Sequence, residues 1–294
     1  MPLQLYLSAP ILVDRGYDYQ TKDGQQDTHM NIKRVFLLLL APLFLAACEQ
    51  DRITAICEDT PQYCVELHHD SWCRFERTAL IRARRQQATV PGDESDYHLM
   101  QTLQQYHDCL EPLLAIEYTR RKERKNDKLE AVIHARDAIS QLTASTAQSD
   151  YPHLLLWHWQ YQGSQRAKAR FIKLANRPEM QQPDLQKALA ELLTLRDSQA
   201  AEQALHHALA LYDKDADIDT DIIANLLTLY IREKRYQEVW VWSRVLNQLG
   251  HEEQVSLDRM NVYAHFNASQ QQQMQQQVED ILEQLAAGTY HRKQ

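Results

Sequence analysis

Apolar residues recur three and four apart over much of the chain, the spacing that gathers them on one face of a helix. The clearest stretch runs from Ile223 through Leu226, Leu227 and Tyr230, breaks at Lys234-Arg235, and resumes with Tyr236 and Val239 as far as Leu246. Two helices joined by a short turn follow from it. Thirty-five residues earlier, Leu192, Leu195, Ala201, Ala204 and Ala208 fall at corresponding places within a pair over about 184–212. A fainter pair covers 154–175, with Trp159, Ala167, Ala169 and Phe171. Small residues recur where two helices must approach closely. Each pair leaves an apolar face that only a neighbour covers, so 150–290 reads as a short solenoid.

The 223–246 copy resembles a tetratricopeptide repeat, with Val239 where that family prefers Ala and Ser243 in place of its usual aromatic residue. Upstream, Asp70-Ser71-Trp72-Cys73 opens a helix through Phe75, Leu80 and Ile81 to about Gln87, capped by Asp70 or Ser71 and broken by Pro91 and Gly92. A longer helix starts near Ser95 or Asp96 and carries Leu99, Leu103, Tyr106 and Leu110, with Pro112 kinking or dividing it. Another spans 128–142, and the polar stretch 143–150 marks a boundary. Gln270–Gln273 and Gln275–Gln277 flank Met274 in a terminal capping helix that reaches Leu285 and stops at Gly288. The expected fold is all-α: a disulfide-stapled amino-terminal helical unit at 57–145, then the tetratricopeptide-like helix pairs at 150–290.

Lys33 and Arg34 precede an apolar run at 35–45, followed by Ala46-Ala47-Cys48. A basic start, a short apolar centre and a small-residue cleavage site make a secretory signal. The 35–47 stretch would reach about 20 Å as a helix against a hydrocarbon core of about 30 Å, too short to span a membrane. Leu45-Ala46-Ala47-Cys48 resembles a bacterial lipobox, which implies cleavage before Cys48, diacylglycerol on its thiol and acylation of the new amino group. Residues 1–29 are polar, with Asp14, Asp18, Asp23 and Asp27, and do not suit the start of a signal. Met30 is therefore the expected initiator, 1–29 an upstream mis-start, 30–47 the signal and 48–56 a lipidated tether. Glu49 stands where inner-membrane lipoproteins of this kind commonly carry Asp, which implies the outer membrane with the body facing the periplasm.

Composition narrows the chemistry. Only 6 Gly and 9 Pro in 294 residues disfavour turn-rich β architectures and phosphate-cradling loops. The formal charge of −8 disfavours nucleic acid, whose binding depends on clustered cations. Arg82, Arg84 and Arg85, and Arg120, Arg121, Lys122, Arg124 and Lys125, form the basic clusters; the second reads as a solvated helix end whose charges suit the helix dipole, or else as a patch for anionic lipid headgroups, lipopolysaccharide or an acidic partner protein. Cys57, Cys64, Cys73 and Cys109 are even in number in an oxidising compartment, and two disulfides are expected. Of the three pairings, Cys57–Cys64 with Cys73–Cys109 is preferred. A metal site with His68, His69 and His107 is the competing reading, although the cysteine spacings are wider than zinc sites use.

Asp213, Asp215, Asp217, Asp219 and Asp221 resemble the start of a calcium loop but lack its glycine and its closing glutamate, so a polar loop with a helix cap from Asp219, Thr220 or Asp221 is expected. Trp157, Trp159 and Tyr161, with His153 and His158, read as core packing, or else as a ligand groove or partner anchor. Trp240 and Trp242 lie two apart and cannot share one side of a helix, so one of them is expected in solvent as a partner contact. His206 and His207 read as surface or packing residues. The sequence carries no Gly-x-Ser-x-Gly, His-Glu-x-x-His, P-loop or dinucleotide motif. No catalytic residue, metal or cofactor is expected.

The signal, the four cysteines with Asp70-Ser71-Trp72-Cys73-Arg74, and the run 154–162 ahead of Ala-rich helix pairs together resemble a family of uncharacterised gammaproteobacterial lipoproteins, over most of 30–290. That resemblance implies no known activity. The expected function is a lipid-anchored scaffold or adaptor for an envelope protein partner. The rival is a small-ligand binder or enzyme with a pocket between the disulfide unit and the repeats.

Overall fold

In the computed structural model, residues 52–120, 122–250 and 265–292 are described. The apolar run, Cys48 and Arg121 lie outside the described residues. Helix α1 (Ile53–Asp59) leads through a 3-10 turn at Pro61–Tyr63 into a loop, and Cys57 is bonded to Cys64. Three helices follow: α2 (Arg74–Thr89), α3 (Asp93–Leu110) and α4 (Glu123–Ser145). Leu80, Leu103, Tyr106 and Leu110 are almost wholly buried between them. The bond Cys73–Cys109 joins the start of α2 to the end of α3. It closes a loop worth about 4 kcal/mol on the chain-entropy argument. The two sulfurs that a metal would need are thereby bonded to each other.

Two local expectations fail for identifiable reasons. Neither Asp70 nor Ser71 caps α2. Asp70 Oδ1 accepts the Trp72 N–H at 3.0 Å, its other oxygen meets the Lys128 ammonium, and the helix begins only after Cys73, held at φ 49°. The basic run also sits at the opposite helix end from the one expected. Helix α4 starts at Glu123, so Arg120 and Lys122 lie at its positive end, where the dipole opposes them. Lys125 is paired with Glu117 at 2.7 Å.

The remaining helices come as pairs: α5 (Pro152–Gln162) with α6 (Gln165–Lys173), α7 (Pro183–Leu193) with α8 (Ser198–Ala210), and α9 (Thr220–Arg232) with α10 (Tyr236–Leu249). Among the described residues all regular structure is helical. Asp197 and Asp219 cap α8 and α9 by accepting backbone N–H groups, so the aspartate-rich loop ends in a cap, as its side-chain chemistry requires. Each pair packs on the next: α5 and α6 meet α7, and α8 meets α9. Ala201 and Ala208 have no exposed surface, which lets α7 and α8 close on each other. The last helix, α11 (Ala268–Ala287), opens with an Asn267–Gln270 capping box and lays Met274, Val278 and Leu285 against the stack.

One continuous apolar core runs from Leu155 to Tyr290. A smaller cluster of Met100, Leu154 and Trp157 crosses the 143–150 boundary and ties α3 to α5. The described residues from Ile56 onward constitute one compact unit.

Candidate functional site

A cleft of about 290 Å3 lies among α8, α9, α10 and α11, with the non-helical segment 289–292 forming part of its wall. Helix α8 brings Glu202 and His206 into it. These residues are one turn apart on a stripe otherwise made of Ala201, Ala204, Leu205, Ala208 and Leu209, so both are nearly sealed from water. Tyr230 from α9, Arg235 from the turn before α10, and Tyr290 and Arg292 from the end of the chain converge on them.

The hydrogen bonds specify one proton arrangement. The Tyr230 hydroxyl donates to Glu202 Oε1 at 2.9 Å and therefore accepts from His206 Nε2–H at 2.9 Å. His206 Nδ1 is then the lone-pair nitrogen and accepts the Tyr290 hydroxyl at 2.6 Å. Arg235 donates to Glu202 Oε2 at 2.9 Å and Arg292 to Oε1 at 2.7 Å. Burial alone would raise the Glu202 carboxyl. His206 beside it, the bonds from Arg235 and Tyr230 and the Arg292 charge outweigh burial and hold it well below the usual carboxylate range. Burial pulls His206 down and pushes Tyr230 and Tyr290 up. Around neutral pH the carboxylate is charged and the three rings neutral.

The site already holds a piece of chain. Gly288 ends α11 in the left-handed conformation, at φ +65°. The next residues turn back so that Tyr290 is buried against His206 and edge-on to Trp242, and Arg292 reaches Glu202. The helix-pair surface thus receives a non-helical segment through one aromatic anchor and one guanidinium. Gln237, Gln277 and Gln284 add amides along the rest of the cleft.

Several sequence expectations need correction here. Trp240 and Trp242 are both buried, at 6% and 4% exposure, because α10 is covered by α9 on one side and α11 on another and has no free face at that level. Neither reaches solvent; Trp242 contributes to the cleft wall, and Trp240 carries the Arg244 guanidinium over its ring. Trp157 is likewise buried, while Trp159 is half-buried under the Lys168 ammonium. His158 turns away to Thr146, so the aromatic group around 153–161 splits between helix faces. Cys48 lies outside the described residues. His206, which reads from sequence as a surface or packing residue, is the buried centre of the network, and nothing in the sequence analysis singles out Glu202, Tyr290 or Arg292. The legible signal was an acid and a histidine one turn apart inside an Ala/Leu stripe.

A family model described as protein of unknown function (DUF2989) matches residues 45–244. Neither a curated protein nor a solved structure matches the chain significantly.

Proposed function

The chain belongs to the protein family of unknown function DUF2989, and from the occupied cleft we propose that it is a helical-repeat scaffold or adaptor for a protein partner in the cell envelope. The observation that carries this reading is the carboxy-terminal segment seated in the cleft through Tyr290 and Arg292. A surface of stacked helix pairs that accepts one non-helical segment can take a partner's segment in the same way, its aromatic ring and cation replacing Tyr290 beside His206 and Trp242 and Arg292 at Glu202. The finer parts of the proposal are a tetratricopeptide-like character for the pairs, a gammaproteobacterial lipoprotein origin, and acylation of Cys48 on the periplasmic face of the outer membrane. The lipobox-like Leu45-Ala46-Ala47-Cys48 supports the anchor, and the α9–α10 hairpin at the tetratricopeptide-like copy supports the repeats. The function of other envelope adaptors with such repeats is a fold-level analogy.

Labelled palmitate is expected on the wild-type chain and absent from Cys48→Ser. A photo-crosslinking residue at Gln237, on the exposed rim of the cleft, is expected to capture the same envelope protein in repeated experiments in cells. No label removes the anchor, and no recurring crosslink removes the adaptor.

A further inference from the structure

A second groove, of about 250 Å3, runs between α3 and α5, where the stapled helices meet the first pair. It shares no residue with the carboxy-terminal cleft. Residues 153, 157 and 161 are one turn apart on α5 and so present His153, Trp157 and Tyr161 together; Tyr97, Gln101 and Gln105 come from α3.

Two of these side chains are at least nine-tenths buried and each keeps a polar atom without a partner: His153 Nδ1 and Trp157 Nε1. Buried polar groups are rarely left so. The other His153 nitrogen is engaged, with Nε2 2.9 Å from Asp184 Oδ2. Nε2 therefore donates to that carboxylate, and in this tautomer Nδ1 offers a lone pair. The indole N–H can only donate. What meets His153 Nδ1 must donate, and what meets Trp157 Nε1 must accept. Over the indole lies the Tyr161 ring, stacked at 3.9 Å and 54% exposed, so that its outer face is open to a ligand.

The rest of the lining says which chemistry fits. Amides of Gln101, Gln105 and Gln160 each combine a donor with an acceptor, while the one carboxylate in the lining, Asp108, already accepts from Gln104 at 2.7 Å. Aromatic faces flanked by amides complement a ring with an apolar C–H face and an equatorial rim of hydroxyls. One hydroxyl oxygen both donates and accepts. A peptide strand presents its groups toward one side only every second residue, about 7 Å apart, which suits a compact cluster less well. We propose that the α3–α5 groove binds a neutral sugar, its pyranose ring packed on the Tyr161–Trp157 pair and one hydroxyl or acetamido group joining Trp157 Nε1–H to His153 Nδ1. Asp184 is a positioning residue that sets the His153 tautomer. This site is independent of the adaptor cleft and of the Cys48 anchor.

The test is titration of the purified full chain with chitotriose and with maltotriose, following tryptophan fluorescence and the Trp157 indole N–H resonance. Saturable binding of at least one sugar, with a shift of that resonance, is expected. Trp157→Phe keeps a ring but lacks the N–H, and Tyr161→Ala removes the exposed platform; each is expected to weaken binding about tenfold. Leu195→Ser, at a position 89% exposed and outside both clefts, is expected to bind sugar as the wild type does. If Trp157→Phe does not fold, the exposed Tyr161→Ala decides. Failure of both sugars to saturate, wild-type affinity in the folded variants, or a shift of the Trp157 resonance by trialanine but by neither sugar overturns the proposal.

Discussion

Glu202 and Lys128 are each nearly or fully buried charges, held by partners from distant parts of the chain. Removing one member of such a group leaves the others uncompensated, which costs more than the group contributes as a whole. Glu202→Gln is expected to lower stability by about 2–3 kcal/mol at neutral pH, measured by denaturant unfolding. The folded carboxyl titrates below its unfolded value, so its contribution is present above the unfolded value, near pH 4.3, and fades as the pH falls. Wild type and variant are therefore expected to converge in acid. Lys128 meets Asp70, with the Tyr118 ring 5.1 Å from its ammonium. Lys128→Met alone is expected to cost about 3 kcal/mol by leaving the Asp70 carboxylate without its cation; adding Asp70→Asn is expected to restore a large part of that loss. These residues were barely visible in the sequence. A charge on an apolar stripe marks burial, but its partners lie as far as 58 and 90 positions away.

Helices were much more legible. Their apolar period is local, and the three pairs fall where the 223–246 pattern and its fainter copies place them. The ends were less legible, because a cap is a competition. Asp70 was available to cap α2 but is committed to Trp72 and Lys128. Gly288 shows the opposite case, an end that one residue type decides. A Cβ there would lie 2.4 Å from the Lys214 nitrogen, at a φ that side chains disfavour. Gly288→Ala is expected to cost about 2 kcal/mol and to loosen the Tyr290 segment, read as lower melting temperature and faster amide exchange at 289–292.

Across the whole molecule, the single unit from 56 onward is held by an apolar core at one end and by a staple at the other. The Cys73→Ser/Cys109→Ser variant is expected to lose about 4 kcal/mol, with a fall at least as large in the wild type under reducing agent, which also opens Cys57–Cys64. Residues alone determined the helical class, the pairing of consecutive helices and the cysteines available for staples, because each rests on periodicity, composition or spacing within a short window. Tertiary structure decided which tryptophans are covered, where the polar side chains converge and which ring nitrogens stay unmet. Those outcomes depend on how one pair is seated on the next. A helix's own sequence shows which side is apolar, but its neighbours settle whether any other side stays open to water.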